Sequence, residues 1–93
     1  MTMVLQDENL GKTIKRLRKK HHLSQQGLAG KLQLMGSSIS RNTLSKIETG
    51  VRNVKVSDLI LLSVALGVDL NTLFADVIPD KYKKHFHVSA HLD

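Results

Sequence analysis

Leu10, Ile14 and Leu17 recur three and four positions apart, and lysines and arginines fill most of the intervening positions. That spacing lays one apolar stripe along a helix. It predicts a first helix running to about His21, with Asp7 or Asn9 able to cap its start. Leu23-Ser24 breaks the pattern, and Ser24 is placed to cap a second helix that buries Leu28, Ala29 and Leu32. Gly27 and Gly30 lie inside that helix and cost about 1 kcal/mol each relative to alanine, so packing must hold it. Met35-Gly36-Ser37-Ser38 reads as a loop, with Ile39 anchoring its end in the core. Ser40 caps a third helix from Arg41 to about Thr49, with Leu44 and Ile47 facing inward and Gly50 as a left-handed stop. A loop over 51–55 leads to a fourth helix, about Ser57 to Leu66, that is apolar nearly all round and ends at Gly67. Asp69 caps a short fifth helix carrying Leu70, Leu73 and Phe74, and Pro79 closes the compact region. The pattern is therefore all-α, with five short helices in one unit over residues 7–76. A tail over 77–93 follows, too poor in apolar residues to make its own core. A frayed end, a short strand and an arm docked on a second subunit all stay open for it.

Composition narrows the function. Ninety-three residues bury a single small core. The chain has no cysteine, which removes disulfides and thiolate metal sites and fits a reducing compartment. No apolar run approaches the roughly 18 residues that span a bilayer. The start, MTMVLQDENL, lacks the basic stretch and apolar core of a signal peptide. A cytoplasmic protein with no membrane partner is expected.

The net charge of +6 is unevenly distributed: eleven Lys or Arg residues lie between Lys12 and Lys55 against one acid, Glu48. Val56 to Asp80 holds four acids and no Lys or Arg. So segregated an imbalance favours a polyanionic partner. The three aromatics, Phe74, Tyr82 and Phe86, lie outside the basic stretch, which disfavours stacking on single-stranded bases and leaves double-stranded DNA as the expected partner. No nucleophile–base pair and no phosphate-cradling glycine loop stands out, so no enzyme activity and no cofactor is expected. His85, His87 and His91 in the tail have no nearby Cys or Glu to complete a ligand set, and no metal site is expected there.

The order of Leu17-Arg18, Leu23-Ser24-Gln25-Gln26, Leu28-Ala29, Lys31-Leu32, the run Ser40 to Glu48, Gly50, Ala65-Leu66-Gly67-Val68 and Leu73-Phe74 resembles the lambda-repressor-like (Cro/C1-type, XRE) helix-turn-helix DNA-binding family. The resemblance covers about Leu10 to Phe74. It implies a compact five-helix DNA-binding domain whose third helix enters the major groove, N-terminal residues nearest the base edges. Arg41, Asn42, Thr43 and Lys46 then lie on its outer surface. Arg can pair bidentately with guanine, Asn with adenine, and the Thr methyl can touch thymine. Gln25 opens helix two, where free amides favour an anion. The resemblance gives it a grip on a phosphate and a brace for the recognition helix. Ser40 is a cap first and a phosphate contact second, and Arg52 and Asn53 are placed for backbone contacts. The resemblance assigns Arg18 and Glu48 to a partly buried salt bridge joining helix one to the end of helix three.

Two features depart from that pattern. Gln33 to Ile39 is about five residues longer than the usual tight turn, so either helix two extends by a turn or a loop bulges beside the DNA. His22 stands where the family usually has Gly, and left-handed backbone there is uncommon for other residues. The expected function is sequence-specific transcriptional regulation, with repression the expected mode and a homodimer the expected assembly. The alternatives are the antitoxin of a toxin–antitoxin pair, or an adaptor using the same fold for protein binding. A protein partner, toxin or effector, would belong to those readings.

Overall fold

A computed structural model describes residues 3–5, 8–75 and 77. A short strand β1 (Met3–Leu5) precedes helices α1 (Glu8–Lys20), α2 (Gln25–Leu34) and α3 (Arg41–Glu48). Strand β2 (Val54–Lys55) follows, then α4 (Val56–Leu66) and α5 (Leu70–Phe74). The five predicted helices are all present. Helix one begins at Glu8, so Asn9 lies within its first turn and does not cap it. Asp7, the other candidate cap, lies outside the described residues, as does the predicted tail beyond Val77. The segment read as a loop before α4 contains β2, which pairs antiparallel with β1, Met3 opposite Lys55 and Leu5 opposite Val54. Two residues of strand carry no detectable alternation, which is why the pattern showed none there.

The three predicted side-chain caps form as drawn. Ser24 Oγ accepts from the Gly27 N–H at 2.9 Å, Ser40 Oγ from the Thr43 N–H at 3.2 Å, and Asp69 Oδ1 from the Thr72 N–H at 2.7 Å. The Thr72 backbone N–H, then its hydroxyl, hold the Asp69 carboxyl below the usual aspartate pKa. A depressed carboxyl stabilises the fold above its unfolded pKa, and the contribution fades as pH falls through the folded one. At the other ends, α1 closes with Leu23 N–H to Arg18 O and His22 N–H to Lys19 O, a Schellman arrangement. The same pattern ends α3 around Gly50 at φ 80°. His22 does take the left-handed conformation, at φ 58°.

Leu10, Ile14 and Leu17 of α1 meet Leu28 and Leu32 of α2, Leu44 and Ile47 of α3, Leu59, Leu62 and Leu66 of α4, and Leu73 of α5 in one buried cluster. Ile39 joins it at 2% exposure, as the pattern required. Two polar side chains finish the C-terminus of α4: Lys31 Nζ donates to Ala65 O at 3.0 Å, and His21 Nε2 bonds Leu66 O at 2.8 Å. A carbonyl only accepts, so that nitrogen carries the proton.

Of the three glycines inside helices, Gly11 and Gly30 have opposite roles. A Cβ at Gly11 would overlap the backbone carbonyl oxygens of Ile47 and Glu48, so α1 rests directly on the end of α3 there. A Cβ at Gly30 meets nothing within 4 Å. Gly30→Ala is therefore expected to raise stability by about 0.5–1 kcal/mol through helix propensity alone. Gly11→Ala gains the same propensity but forces two helices apart, and a net loss of about 1–3 kcal/mol is expected. Urea unfolding of both variants checks the opposite signs.

Candidate nucleic-acid interface

The outer face of α3 is polar because its inner face is fully committed. Leu44, Ile47 and Glu48 are buried, while Arg41, Asn42 and Lys46 are exposed and Thr43 is half-buried. The Ser40 cap reaches further than expected, since Ser40 Oγ also donates to Thr43 Oγ1 at 3.1 Å. That bond fixes the Thr43 rotamer, and Thr43 is a less free contact than its neighbours. Arg41, Asn42, Lys46, Arg52 and Asn53 make no side-chain hydrogen bond or ion pair among the described residues, so their donors face solvent.

Thr43, Lys46, Arg52 and Asn53 come together along a cleft of about 430 Å³ between α3 and the segment leading into α4. Ser38, Lys55 and Asp58 line it as well. Three cations, hydroxyl and amide donors and one carboxylate thus share one concave surface beside the helix. Such a surface attracts anions through its summed field and supplies directional donors at close range. Arg41 and Asn42 do not line the cleft; they sit on the exposed first turn of α3, where base edges are expected. Lys55 and Ser38 are cleft residues that sequence reasoning did not single out. The basic excess of the segment ending at Lys55 was the only signal for the first, and nothing marked the second.

Arg18, Glu48 and Gln25 form a separate cluster. Arg18 Nε donates to Glu48 Oε2 at 2.7 Å and Arg18 Nη2 to Glu48 Oε1 at 3.0 Å, a bidentate pair with side-chain exposures of 8% and 2%. Arg18 Nη1 donates to Leu23 O at 2.8 Å, tying the pair to the start of α2. Gln25 Nε2 donates to Glu48 Oε1 at 3.1 Å, so the first residue of α2 braces the last residue of α3. Charge at this cluster is spent internally, unlike that around the cleft. No group of three or more His, Asp or Glu able to hold a metal lies among the described residues, and no described helix is long and apolar enough to cross a membrane. The tail histidines lie outside the described residues.

Comparison with known proteins bears on this geometry. A helix-turn-helix family model (HTH_3) matches residues 14–73, the segment from α1 to α5. The control protein C.MunI from a Mycoplasma species is 40% identical over 68 residues, which span 72% of this chain and 85% of that protein. The crystal structure of the restriction-modification controller protein C.AhdI from Aeromonas hydrophila superposes with a TM-score of 0.64 at 28% identity, covering 72% of this chain and 94% of the other. An HTH_3 family transcriptional regulator from Vibrio cholerae superposes at 0.62 with 24% identity over 73% of this chain and 35% of its own; it supports the fold alone.

Proposed function

The chain belongs to the helix-turn-helix family HTH_3, and from that membership we propose that it is a controller-type regulator that reads a specific operator through the first turn of α3. It is a DNA-binding transcriptional regulator and not an enzyme. The observation that carries the finer reading is the unpaired polar face of α3. Arg41 presents a free two-donor fork and Asn42 a free donor–acceptor amide where the family places base edges, while Lys46, Arg52, Asn53 and Lys55 surround an adjoining cleft suited to backbone phosphate. The side-chain amide of Gln25 braces Glu48, and its position at the start of α2, where backbone N–H groups favour an anion, supports a phosphate contact there. The exposed Arg41 and Lys46 on α3 favour a DNA-facing helix over a protein-only adaptor. The likeness to C.MunI and C.AhdI supports the controller assignment over an antitoxin.

A two-fold dimer is part of this reading. One recognition helix covers too few base pairs to specify a genomic site, and paired half-sites about one helical turn apart overcome that limit. Val56, Ile60 and Val64 recur every four residues along α4 and stand 51%, 47% and 63% exposed, a stripe suited to a second copy. Val77, beyond α5, is partly buried against the core. Ile78, Tyr82 and Phe86 lie outside the described residues. Repression is the mode expected where the operator overlaps a promoter, because a bound dimer then excludes polymerase.

Selection of bound duplexes from a random library tests the proposal. The expected result is an inverted repeat with half-sites about one turn apart. Arg41→Ala should then cost about 1–3 kcal/mol on that site and relax preference at one base pair per half-site. An ungapped, non-palindromic site, or equal losses by Arg41→Ala on selected and scrambled DNA, would overturn it.

A further inference from the structure

Of the residues inserted between α2 and α3, the reading above uses only the cleft-lining end at Ser38 and Ile39, yet the whole segment is built as a defined element. Helix α2 closes through Gly36 N–H to Gln33 O and Ser37 N–H to Leu32 O, with Gly36 at φ 98°. From there the chain alternates: Ser37 is buried, Ser38 exposed, Ile39 buried and Ser40 exposed. Such alternation is what an extended segment lying against a core produces. Gln33 Nε2 reaches forward to Ile39 O at 3.1 Å, holding the segment to the end of α2. Ser37 Oγ accepts from the Ile39 N–H at 3.0 Å and donates to Asp58 Oδ1 on α4 at 3.1 Å. The hydroxyl therefore joins the inserted segment to the first turn of α4.

We infer that Ser37 and Asp58 are positioning residues for the reading helix, making the inserted segment a strut between the start of α3 and the start of α4. The inference rests on the proposed DNA reading by α3. Only Ser38 and Ile39 separate Ser37 from the Ser40 cap, so displacement of Ser37 passes directly to the first turn of α3. Bidentate base readout tolerates only about half an ångström of displacement, whereas attraction to phosphate falls off slowly. Losing the strut should therefore cost discrimination between sequences far more than general affinity. Asp58 also lines the cleft among Lys46, Arg52 and Lys55, so its charge moderates the field there independently of its hydrogen bond. The two roles separate by substitution: Asp58→Asn keeps an oxygen acceptor and removes the charge, and Asp58→Ala removes both.

The test measures binding of the full chain to the selected duplex and to a scrambled one at the same salt, with a thermal melt of each variant. Ser37→Ala and Asp58→Ala are each expected to lower the ratio of selected to scrambled affinity about fivefold; Ser37→Ala leaves the scrambled duplex within about twofold of wild type, and Asp58→Ala tightens it as Asp58→Asn does. The double variant should be no worse than either single one. Asp58→Asn is expected to keep the wild-type ratio between the two duplexes while tightening both alike. Because Ser37 is buried, Asp58→Ala at its half-buried site carries the test if Ser37→Ala unfolds. An unchanged ratio in the alanine variants, or Asp58→Asn falling as far as Asp58→Ala, overturns the strut and leaves the DNA reading standing. A wild-type chain that binds both duplexes equally overturns both.

Discussion

Glu48→Ala is expected to remove about 3–5 kcal/mol of folding stability, one of the largest losses open to a single side chain in this protein. The carboxylate accepts two hydrogen bonds from Arg18 and one from Gln25, in a site where Glu48 is 2% exposed along its side chain. Truncation strands the Arg18 guanidinium, itself largely buried, with only Leu23 O to face. An uncompensated buried cation accounts for most of the loss, since exposed ion pairs contribute only about 0–1 kcal/mol. For a domain of this size the melting temperature should fall by about 15–25 °C, read by circular dichroism. The double variant Arg18→Met/Glu48→Leu should recover most of it, because a packed apolar pair restores the burial without a stranded charge. Losing an acid near a DNA-facing helix cannot by itself weaken attraction to phosphate. If Glu48→Ala melts like wild type while losing affinity for DNA, the residue works on the DNA and not on the fold.

Much of this architecture was legible because it is local. The spacing of Leu10, Ile14 and Leu17 reports which face of α1 is buried, and Ser24, Ser40 and Asp69 announce helix starts through hydrogen bonds spanning three residues. Gly50 and Gly67 mark helix ends because left-handed backbone is cheap only for glycine. The outer face of α3 followed from its inner face by period alone. What could not be read is what depends on contacts between distant segments. Gly11 looks like a weak helix residue until α3 is seen to lie where its Cβ would be. Lys31 counted toward the basic surface, but its ammonium caps α4. The β1–β2 ladder is too short to leave a pattern, and the Ser37–Asp58 bond joins residues that have no sequence relation. The resemblance supplied the Arg18–Glu48 pairing, which periodicity would not have shown.

The central claim is that the basic half of the chain is a surface for duplex DNA, and its most direct test is the salt dependence of binding. Of the eleven Lys and Arg residues from Lys12 to Lys55, Arg18 bonds Glu48 and Lys31 bonds Ala65, which leaves nine exposed cations. Each phosphate they neutralise releases condensed counterions, so affinity falls as a power of salt concentration. If about six phosphates are met, the slope of log affinity against log salt is about −5, a roughly 1,000-fold loss between about 50 and 200 mM. Fluorescence anisotropy of a labelled mixed-sequence duplex, titrated at several salt concentrations in that range, measures the slope directly. Tight binding at low salt and a slope of about −5 are expected if this half of the chain meets duplex DNA; a flat response, or no binding at the lowest salt, would contradict that role.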